Sequence, residues 1–372
     1  MDEKSGGLAG ITVGETAIST VGKKGKGLTY RGYSIEDLAN HARFEEVAYL
    51  LIHGTLPTKV ELNTYKKRLI QGQSLPIAIC RVLEQLPVKT NPMDVLRTAV
   101  STLGCLEPES LRHTAEFIAD KLMSFCVSSL LYWYAFQTND QHLTVISEQN
   151  SIAGHFLYLL QGHVPDAEFR KALDVSLILY AEHEFNASTF AARVCTSTES
   201  DFYSAIVAAI GTLRGPLHGG ANEAAMKMIN QYDDVPSAEA GTRLLLEQKA
   251  VVMGFGHRVY KESDPRTSII KPWAKKLADR FGDPKKFLIA EAIERVMWDE
   301  KKIFANLDFY SALVYFYLGI PTSFFTPLFV ISRLSGWTAH IREQRANNRL
   351  IRPLADYIGP DPRPYVGISE RT

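Results

Sequence analysis

Three histidines and one aspartate lie in settings typical of a reacting centre. His218 is flanked by glycines directly before a predicted helix that begins at Asn222. Glycines let a ligand approach the backbone closely, and a helix N-terminus disfavours a protonated imidazole. A neutral histidine there can donate a hydrogen bond to a carbonyl that is becoming an enolate. The simpler alternative is a histidine whose hydrogen bonds are satisfied by the backbone of a glycine-rich turn.

A second glycine-rich segment places His257 directly after Gly254-Phe255-Gly256. Such a turn exposes backbone N–H and C=O groups to a flat or phosphate-bearing ligand. Arg266, a few residues further on, carries a planar guanidinium that matches the geometry of a carboxylate. A hairpin with solvated basic residues is the alternative for this segment.

Two further charged residues interrupt apolar sequence. Asp308 lies between Leu307 and Phe309 at a predicted helix start, where it is either an N-cap or a general base in an apolar mouth. Arg333 follows the apolar segment 324–331 and needs a buried or ligand-borne partner. His183 belongs to a polar group that ends an apolar helix, which indicates either a buried network or a binding wall.

A row of arginines follows near the C-terminus. Arg342, Arg345, Arg349 and Arg352 are spaced three, four and three residues apart, which predicts one face of a helix. We interpret the first three as a solvated stripe. Arg352, at the predicted end of the helix, can be presented to a ligand or to a second subunit.

The elements that must position these residues are helical. Capping patterns begin helices at Ser34, Thr58 and Asn91-Pro92, the last predicted to end at Gly104. Further helices are predicted over 111–136, 151–161, 167–182, 201–213 and 222–231, and strands only near 11–21, 28–30 and 251–253. Because no β-then-α alternation recurs, we predict an all-α fold. Breaks rich in glycine and proline divide it into a large helical domain, 1–218 and 325–372, and a smaller inserted helical domain, 219–324.

Composition narrows the function. The chain has 372 residues, with 41 Lys and Arg balancing 41 Asp and Glu, so no broad basic field favours nucleic acid or anionic lipid. Four separated cysteines without a CxxC pair predict reduced, mostly buried thiols. The N-terminus lacks the pattern of a signal peptide, and no apolar run is long enough to span a bilayer, so we expect a cytoplasmic protein. P-loop, dinucleotide-binding, HExxH and GxSxG motifs are absent.

Taken together and in this order, the motifs resemble those of the citrate synthase family. They read L-Y-A-E-H-x-x-N-A-S, G-P-x-H-G-G-A-N, G-F-G-H-x-V-Y, D-P-R, N-x-D and T-P-L-F-x-x-x-R over residues 179–333, with further matches near Tyr30 and Pro92. The resemblance implies an acyltransferase with the citrate synthase fold, a homodimer whose two domains close over the substrate. It implies no permanently bound cofactor and no metal, with oxaloacetate and acyl-CoA as substrates.

The resemblance also implies roles for individual residues. Asp308 is expected to remove a proton from the acyl α-carbon, His218 to stabilise the resulting enol, and His257 to protonate the keto oxygen of oxaloacetate. The residues expected to hold oxaloacetate are His183, Arg266, Arg333, Arg352 from the partner subunit and, by the weakest match, Arg68. The backbone of Val251, Val252, Met253, Gly254 and Phe255 is expected to contact the adenine end of CoA.

Within the family, the segments 296–302, 306–312, 343–345 and 351–360 most resemble members that use propionyl-CoA. The alternative is a member that uses acetyl-CoA, because a single methylene changes binding by only about 1–3 kcal/mol. Two other classes stay open. One is an inactive helical dimer that senses CoA or a dicarboxylate, although His218, His257 and Asp308 are all present. The other is a metal-binding helical protein that uses these residues with His183.

Overall fold

Helices dominate the structure, a computed structural model that describes residues 8, 10–22 and 27–371. Within these residues the helices are α1 Ile35–His41, α2 Phe44–His53, α3 Lys59–Gln71, α4 Ile77–Glu84, α5 Pro92–Leu106, α6 Ala115–Asn139, α7 Ile152–Gln161, α8 Ala167–Tyr180, α9 Ala187–Ser197, α10 Phe202–Leu213, α11 Ala221–Ile229, α12 Val235–Glu247, α13 Thr267–Phe281, α14 Lys285–Lys301, α15 Leu307–Tyr317 and α16 Phe325–Ala346. Short 3₁₀ turns lie at Thr322–Phe324 and Ile368–Glu370. The prediction of an all-α fold is confirmed.

The predicted helix starts are confirmed by their caps. The side chains of Ser34, Thr58 and Asn91 accept hydrogen bonds from backbone N–H groups in the first turns of α1, α3 and α5. The predicted end at Gly104 is wrong, because α5 continues to Leu106. Gly104 instead gives room to Tyr203, whose Cγ would lie 2.9 Å from an added Cβ.

Other helix boundaries also differ from the prediction. Helix α6 begins at Ala115 rather than at residue 111, because Thr114 caps it by accepting from the Phe117 N–H. Helix α16 ends at Ala346, so Arg349 and Arg352 lie beyond it and the predicted four-arginine face is wrong. The stripe is also paired rather than only solvated, since Arg342 contacts Glu116 at 2.7 Å and Arg345 contacts Glu109 at 2.5 Å.

One small antiparallel sheet lies near the N-terminus. Strands β1 Ser19–Val21, β2 Leu28–Tyr30 and β3 Tyr33–Ser34 pair in that order, which confirms the predicted pairing but shortens the first strand. The predicted strand at 251–253 does not form; instead Phe255 bridges Ala305. The sheet is fastened to the end of α8, because the Tyr30 hydroxyl donates to the carbonyl of Ile178 at 3.1 Å.

Helix α16 lies at the centre of the core. It packs against α2, α6, α8, α9 and α10, and most of its side chains are buried on every face, as expected for a helix enclosed by others. The four cysteines are free thiols; Cys80 and Cys126 are buried, Cys195 is half-buried and Cys105 is exposed. In the part of the chain that the structure describes, every helix is too short or too polar to cross a membrane.

Close packing of α16 on the end of α8 requires a glycine at position 336. An added Cβ at Gly336 would lie 2.4 Å from the carbonyl oxygen of Ala181 and from Oε2 of Glu182. We therefore expect Gly336→Ala to destabilise the fold by about 1–3 kcal/mol, the usual range for overpacking. The midpoint of thermal unfolding measures this loss.

Gly211, inside α10, is the matched control because an added Cβ meets no atom within 4 Å. Gly211→Ala should raise stability by about 0.5–1 kcal/mol through helix propensity. A Gly336→Ala protein that unfolds at or above the wild-type midpoint would contradict this account of α16.

Candidate active site

The turn between α8 and α9 presents His183. Glu182 is buried and accepts hydrogen bonds from the Ser19 hydroxyl at 3.0 Å and from His340 Nε2 at 2.9 Å. Ser19 in turn accepts from the Glu184 N–H. Burial alone would raise the pKa of Glu182, but His340 and the nearby Arg333 hold it below its ordinary value. These hydrogen bonds fix the turn that carries His183.

His183 and His257 lie side by side. Their ring centroids are 5.0 Å apart, and His183 Nε2 is 3.2 Å from the Tyr260 hydroxyl. Burial, with help from the nearby Arg266, lowers the pKa of His183 well below its ordinary value. The imidazole is therefore neutral at neutral pH and can bind a ligand through hydrogen bonds.

The proton on His257 is fixed by the backbone around it. Nδ1 accepts from the N–H groups of Val259 and Tyr260, both at 3.1 Å. A neutral imidazole that accepts at one nitrogen carries its proton on the other, so Nε2 is the donor. Burial first, and then the Arg266 charge, lower the pKa of His257 to about 4. His257 is thus a neutral Nε2–H donor.

His218 has the opposite arrangement. Its Nε2 accepts from the backbone N–H of Ser188 at 3.1 Å, which leaves the proton on Nδ1. The loop requires glycine directly after His218, because an added Cβ at Gly219 would lie 2.1 Å from the Leu213 carbonyl oxygen. Burial first, and then the Arg333 charge, lower the pKa of His218 to about 4. His218 is a neutral Nδ1–H donor beside α11.

Asp264 joins two parts of the site. Its carboxylate accepts from the backbone N–H, Nε and Nη2 of Arg266 at 2.8–3.0 Å and from the Leu307 N–H at 3.1 Å. Burial alone would raise the pKa of Asp264, but the Arg266 guanidinium and these donors hold it below its ordinary value. One edge of the Arg266 guanidinium is therefore paired with a carboxylate of the chain itself.

Asp308 lies in the first turn of α15. Asn306 is the N-cap of this helix and accepts from the Asp308 N–H, so the N-cap alternative for Asp308 is wrong. The Tyr180 hydroxyl donates to Asp308 Oδ1 at 2.5 Å. Burial raises the pKa of Asp308, and the Tyr180 hydrogen bond acts against this rise. A carboxylate of raised basicity fits a general base better than a cap.

Arg333 is fully buried within α16. Its Nε donates to the Tyr180 carbonyl at 2.7 Å, and its guanidinium lies 4.6 Å from the Phe329 ring centroid. Nη1 has no hydrogen-bond partner among the described residues. Burial lowers the pKa of Arg333 to about 10, which leaves it charged at neutral pH. A buried guanidinium nitrogen without an acceptor is costly, so Nη1 is available to an anionic ligand.

The segment 251–255 runs beside the Asp308 helix. The Gly254 carbonyl accepts from the Asn306 N–H at 2.9 Å, and the Phe255 ring packs 4.5 Å from the Phe309 ring. Gly254 has φ +87° and an added Cβ would lie 2.9 Å from Phe309 Cβ. Within this segment Val251 is exposed, Val252 and Gly254 are buried, and Met253 and Phe255 are half-buried.

Most of the predicted site residues form one cluster. The residues linked by these contacts are His183, His218, His257, Arg266, Asp308 and Arg333, with the segment 251–255 alongside. Arg68 lies elsewhere, on α3, where it pairs with Asp120 at 2.6 Å. Arg352 is exposed in the tail that follows α16. The described residues contain no group of three or more His, Cys, Asp or Glu side chains that could hold a metal ion.

Sequence reasoning missed the residues that orient the others. Tyr180 and Asp264 each connect two members of the cluster, and the Ser188 N–H fixes the His218 tautomer. For Asp264 the available signal was its spacing of two residues from Arg266. No local pattern indicates that Tyr180 reaches Asp308, which is 128 residues away.

Comparison with known proteins agrees with this geometry. The family model described as "Citrate synthase, C-terminal domain" matches residues 7–354. The chain belongs to the citrate synthase family. A 2-methylcitrate synthase of Shewanella oneidensis is 52% identical over 98% of this chain and 97% of its own length. Citrate synthase 2 of Bacillus subtilis is 45% identical over 98% of each chain.

Solved structures of citrate synthases share the fold. The ternary complex of the Thermoplasma acidophilum citrate synthase with carboxymethyl coenzyme A and oxaloacetate superposes with a TM-score of 0.92, at 36% identity and full coverage of both chains. The citrate synthase of Pyrobaculum aerophilum gives 0.88 at 38% identity, over 98% of this chain and 95% of its own. The predicted citrate synthase fold is therefore confirmed.

The two opposed tautomers are directly testable. In protein labelled with ¹⁵N-histidine, long-range ¹H–¹⁵N spectra should show the Nδ1–H form of His218 and the Nε2–H form of His257 from pH 6 to 8. Spectra of His218→Gln and His257→Gln assign the signals. A midpoint near 6.5 for either histidine would contradict the described environment.

The same shifts give stability a defined pH dependence. The pKa values of His218 and His257 are lower in the folded state than the ordinary 6.5, so the unfolded chain binds more protons between about pH 4 and 6.5. Their contribution to stability is therefore complete above pH 6.5 and is lost as the pH falls toward 4.

Proposed function

We propose that this protein is a 2-methylcitrate synthase, which converts propionyl-CoA, oxaloacetate and water to 2-methylcitrate and CoA. The observation that carries the proposal is the pair of neutral histidine donors of opposite tautomer beside a buried carboxylate of raised basicity. The 52% identity to the Shewanella oneidensis 2-methylcitrate synthase supports the choice of acyl group.

The first step is removal of a proton from the α-carbon of the acyl thioester. Asp308 accepts this proton, and the C–H electron pair moves into the C–C bond of the forming enol. Such a step needs simultaneous stabilisation of the thioester oxygen, because an ordinary carboxylate is a weak base. His218 supplies a hydrogen bond to that oxygen through Nδ1–H, since its Nε2 is occupied by Ser188.

The second step joins the enol carbon to the keto carbon of oxaloacetate. His257 donates its Nε2 proton to the keto oxygen as the new C–C bond forms, and the proton taken by Asp308 returns to His257 by way of the hydrolytic water. Its Nδ1 stays occupied by the backbone N–H groups of Val259 and Tyr260, which hold the ring in place. Water then hydrolyses the thioester, releases CoA and makes the sequence irreversible.

Oxaloacetate carries two carboxylates that need cationic partners. Arg333 offers its unpaired Nη1, and Arg266 offers the part of its guanidinium that Asp264 does not occupy. His183 adds a neutral donor or acceptor beside His257. The adenine end of CoA contacts the backbone of 251–255. Arg68 stays the weakest assignment, because its guanidinium is engaged by Asp120.

The tail after α16 supports a homodimer. From residue 347 to 367 it forms no helix or strand, and it exposes several large apolar side chains, namely Leu354, Tyr357, Ile358 and Tyr365. An extended apolar segment of this kind needs another surface to cover it, and a second copy of the chain supplies one. Arg352, exposed in this tail, then reaches the active site of the partner subunit.

The proposed function includes closure of two domains over the substrates. The large domain, 1–218 and 325–372, carries His183 and Arg333, and the smaller domain, 219–324, carries His257 and Asp308. Closure of one on the other excludes water from the enol. We place the enzyme in the cytoplasm, without a permanently bound cofactor.

The second candidate function is that of a citrate synthase, which uses acetyl-CoA. The similarity to the Bacillus subtilis citrate synthase 2 favours this alternative, and the preferred acyl group separates the two candidates. With oxaloacetate fixed, CoA release measured with a thiol reagent should give a kcat/KM for propionyl-CoA at least about tenfold above that for acetyl-CoA. A preference for acetyl-CoA would identify a citrate synthase and leave the roles of His218, His257 and Asp308 unchanged.

Asp308→Asn tests the base directly. The variant should bind oxaloacetate but lower exchange of the acyl α-proton with deuterated solvent by about 10²–10⁴-fold, because an amide cannot accept the proton. Asp299→Asn, at an exposed aspartate on α14, is the matched control and should exchange like the wild type. Exchange retained at the wild-type rate in Asp308→Asn would remove Asp308 from this role.

A further inference from the structure

One buried tyrosine contacts both the base and an arginine of the site. The Tyr180 hydroxyl donates to Asp308 Oδ1 at 2.5 Å and lies 2.7 Å from the Ser311 hydroxyl. The Tyr180 backbone carbonyl accepts from Arg333 Nε at 2.7 Å. Tyr180 therefore connects the residue expected to act on the acyl group with a residue expected to hold oxaloacetate.

The tyrosine ring is fixed by packing. It is buried at the end of α8, and its centroid lies 4.6 Å from that of Phe329, with the rings tilted by 52°. The His218 and Arg333 side chains flank the same Phe329 ring. The hydroxyl thus projects from a rigid part of the fold toward a carboxylate at the start of another helix.

In the hydrogen bond between Tyr180 and Asp308, the tyrosine hydroxyl is the donor. Burial and the neighbouring Asp308 charge raise the pKa of Tyr180 well above its ordinary value, so the hydroxyl keeps its proton. Asp308 is an acceptor when ionised, and Ser311 can donate to the tyrosine oxygen. A hydrogen bond to an ionised carboxylate stabilises that form. Tyr180 therefore opposes the effect that burial has on Asp308.

We propose that Tyr180 is a positioning residue for the base: its hydroxyl holds Oδ1 of Asp308, keeps the carboxylate ionised and leaves Oδ2 to take the substrate proton. This proposal rests on the proposed function. When the α C–H bond breaks, the proton goes to Oδ2 and the electron pair goes to the enol. The tyrosine proton stays on its own oxygen throughout, so Tyr180 takes no part in the proton balance.

Other charges also face Asp308. From neighbouring elements these are Arg333 on α16 and the Asp264–Arg266 pair before α13, and Tyr315 lies further along α15. A Tyr180→Phe substitution removes only the hydroxyl oxygen and leaves these groups and the backbone carbonyl in place. Binding of oxaloacetate through Arg333 should therefore be retained.

The test is the pH dependence of kcat with propionyl-CoA in the full-length enzyme. In Tyr180→Phe the acid limb should move to higher pH by about one unit or more, because a hydrogen bond to a charged group is lost. At a pH below the acid limb, the kcat of Tyr180→Phe should therefore be about tenfold or more lower than that of the wild type. The KM for oxaloacetate should change little.

Tyr315→Phe is the matched control. Tyr315 is also buried, and its hydroxyl contacts Ser176 at 2.5 Å rather than Asp308. This variant loses a buried tyrosine hydroxyl from the same region, so its acid limb should coincide with that of the wild type. A limb in Tyr180→Phe that coincides with wild type, or an equal shift in Tyr315→Phe, overturns the proposal.

A second variant covers the case in which Tyr180→Phe fails to fold. Ser311→Ala removes the hydroxyl that supports the tyrosine oxygen and should shift the limb in the same direction by a smaller amount; an unshifted limb overturns the proposal. Failure of the proposed function is distinct, because it appears as absence of CoA release in the wild type. An active wild type with coincident limbs refutes only the role of Tyr180.

Discussion

The carboxylate of Asp264 is the interaction on which the site depends. It is buried, and it joins the guanidinium of Arg266 to the first backbone N–H of the helix that carries Asp308. A free N–H at a helix start and a buried guanidinium would each be costly without a partner. One side chain satisfies both, so Arg266 and the start of the Asp308 helix keep a fixed separation. Loss of Asp264 would remove the link between Arg266 and the start of α15 even in a protein that stays folded.

A second buried carboxylate plays a similar part for the turn that carries His183. Glu182 accepts from Ser19 of the N-terminal sheet and from His340 of α16, and His340 in turn accepts from Arg193 at its other nitrogen. Arg193 is held by Glu343, at 2.7 Å. This chain of paired groups ties the His183 turn to the centre of the core. Two buried acids, Asp264 and Glu182, thus fix the elements that carry Arg266, Asp308 and His183.

The sequence predicted the helices and the family, but it did not reveal contacts between residues that are distant along the chain. Caps such as Ser34 and Asn91 are local, so the helices that they begin were predictable, and the order of motifs indicated the family and the residues expected in its site. The helix end predicted at Gly104 was wrong, because this glycine is required by close packing against Tyr203, almost a hundred residues away. The contact of Tyr180 with Asp308 and that of Asp264 with Leu307 are likewise distant in sequence. Spacing along a chain cannot reveal partners that only the packed core brings together.

The source of the hydrogen bonds that orient the two histidines has a consequence for how such an enzyme can change. His218 and His257 are each held by backbone N–H groups, which every residue except proline supplies. Side chains around His257 can therefore be exchanged without moving its proton, whereas His218 Nε2 also lies 2.8 Å from the Ser188 hydroxyl. Substitutions around the two rings can thus accumulate while the backbone keeps the proton of His218 on Nδ1 and that of His257 on Nε2.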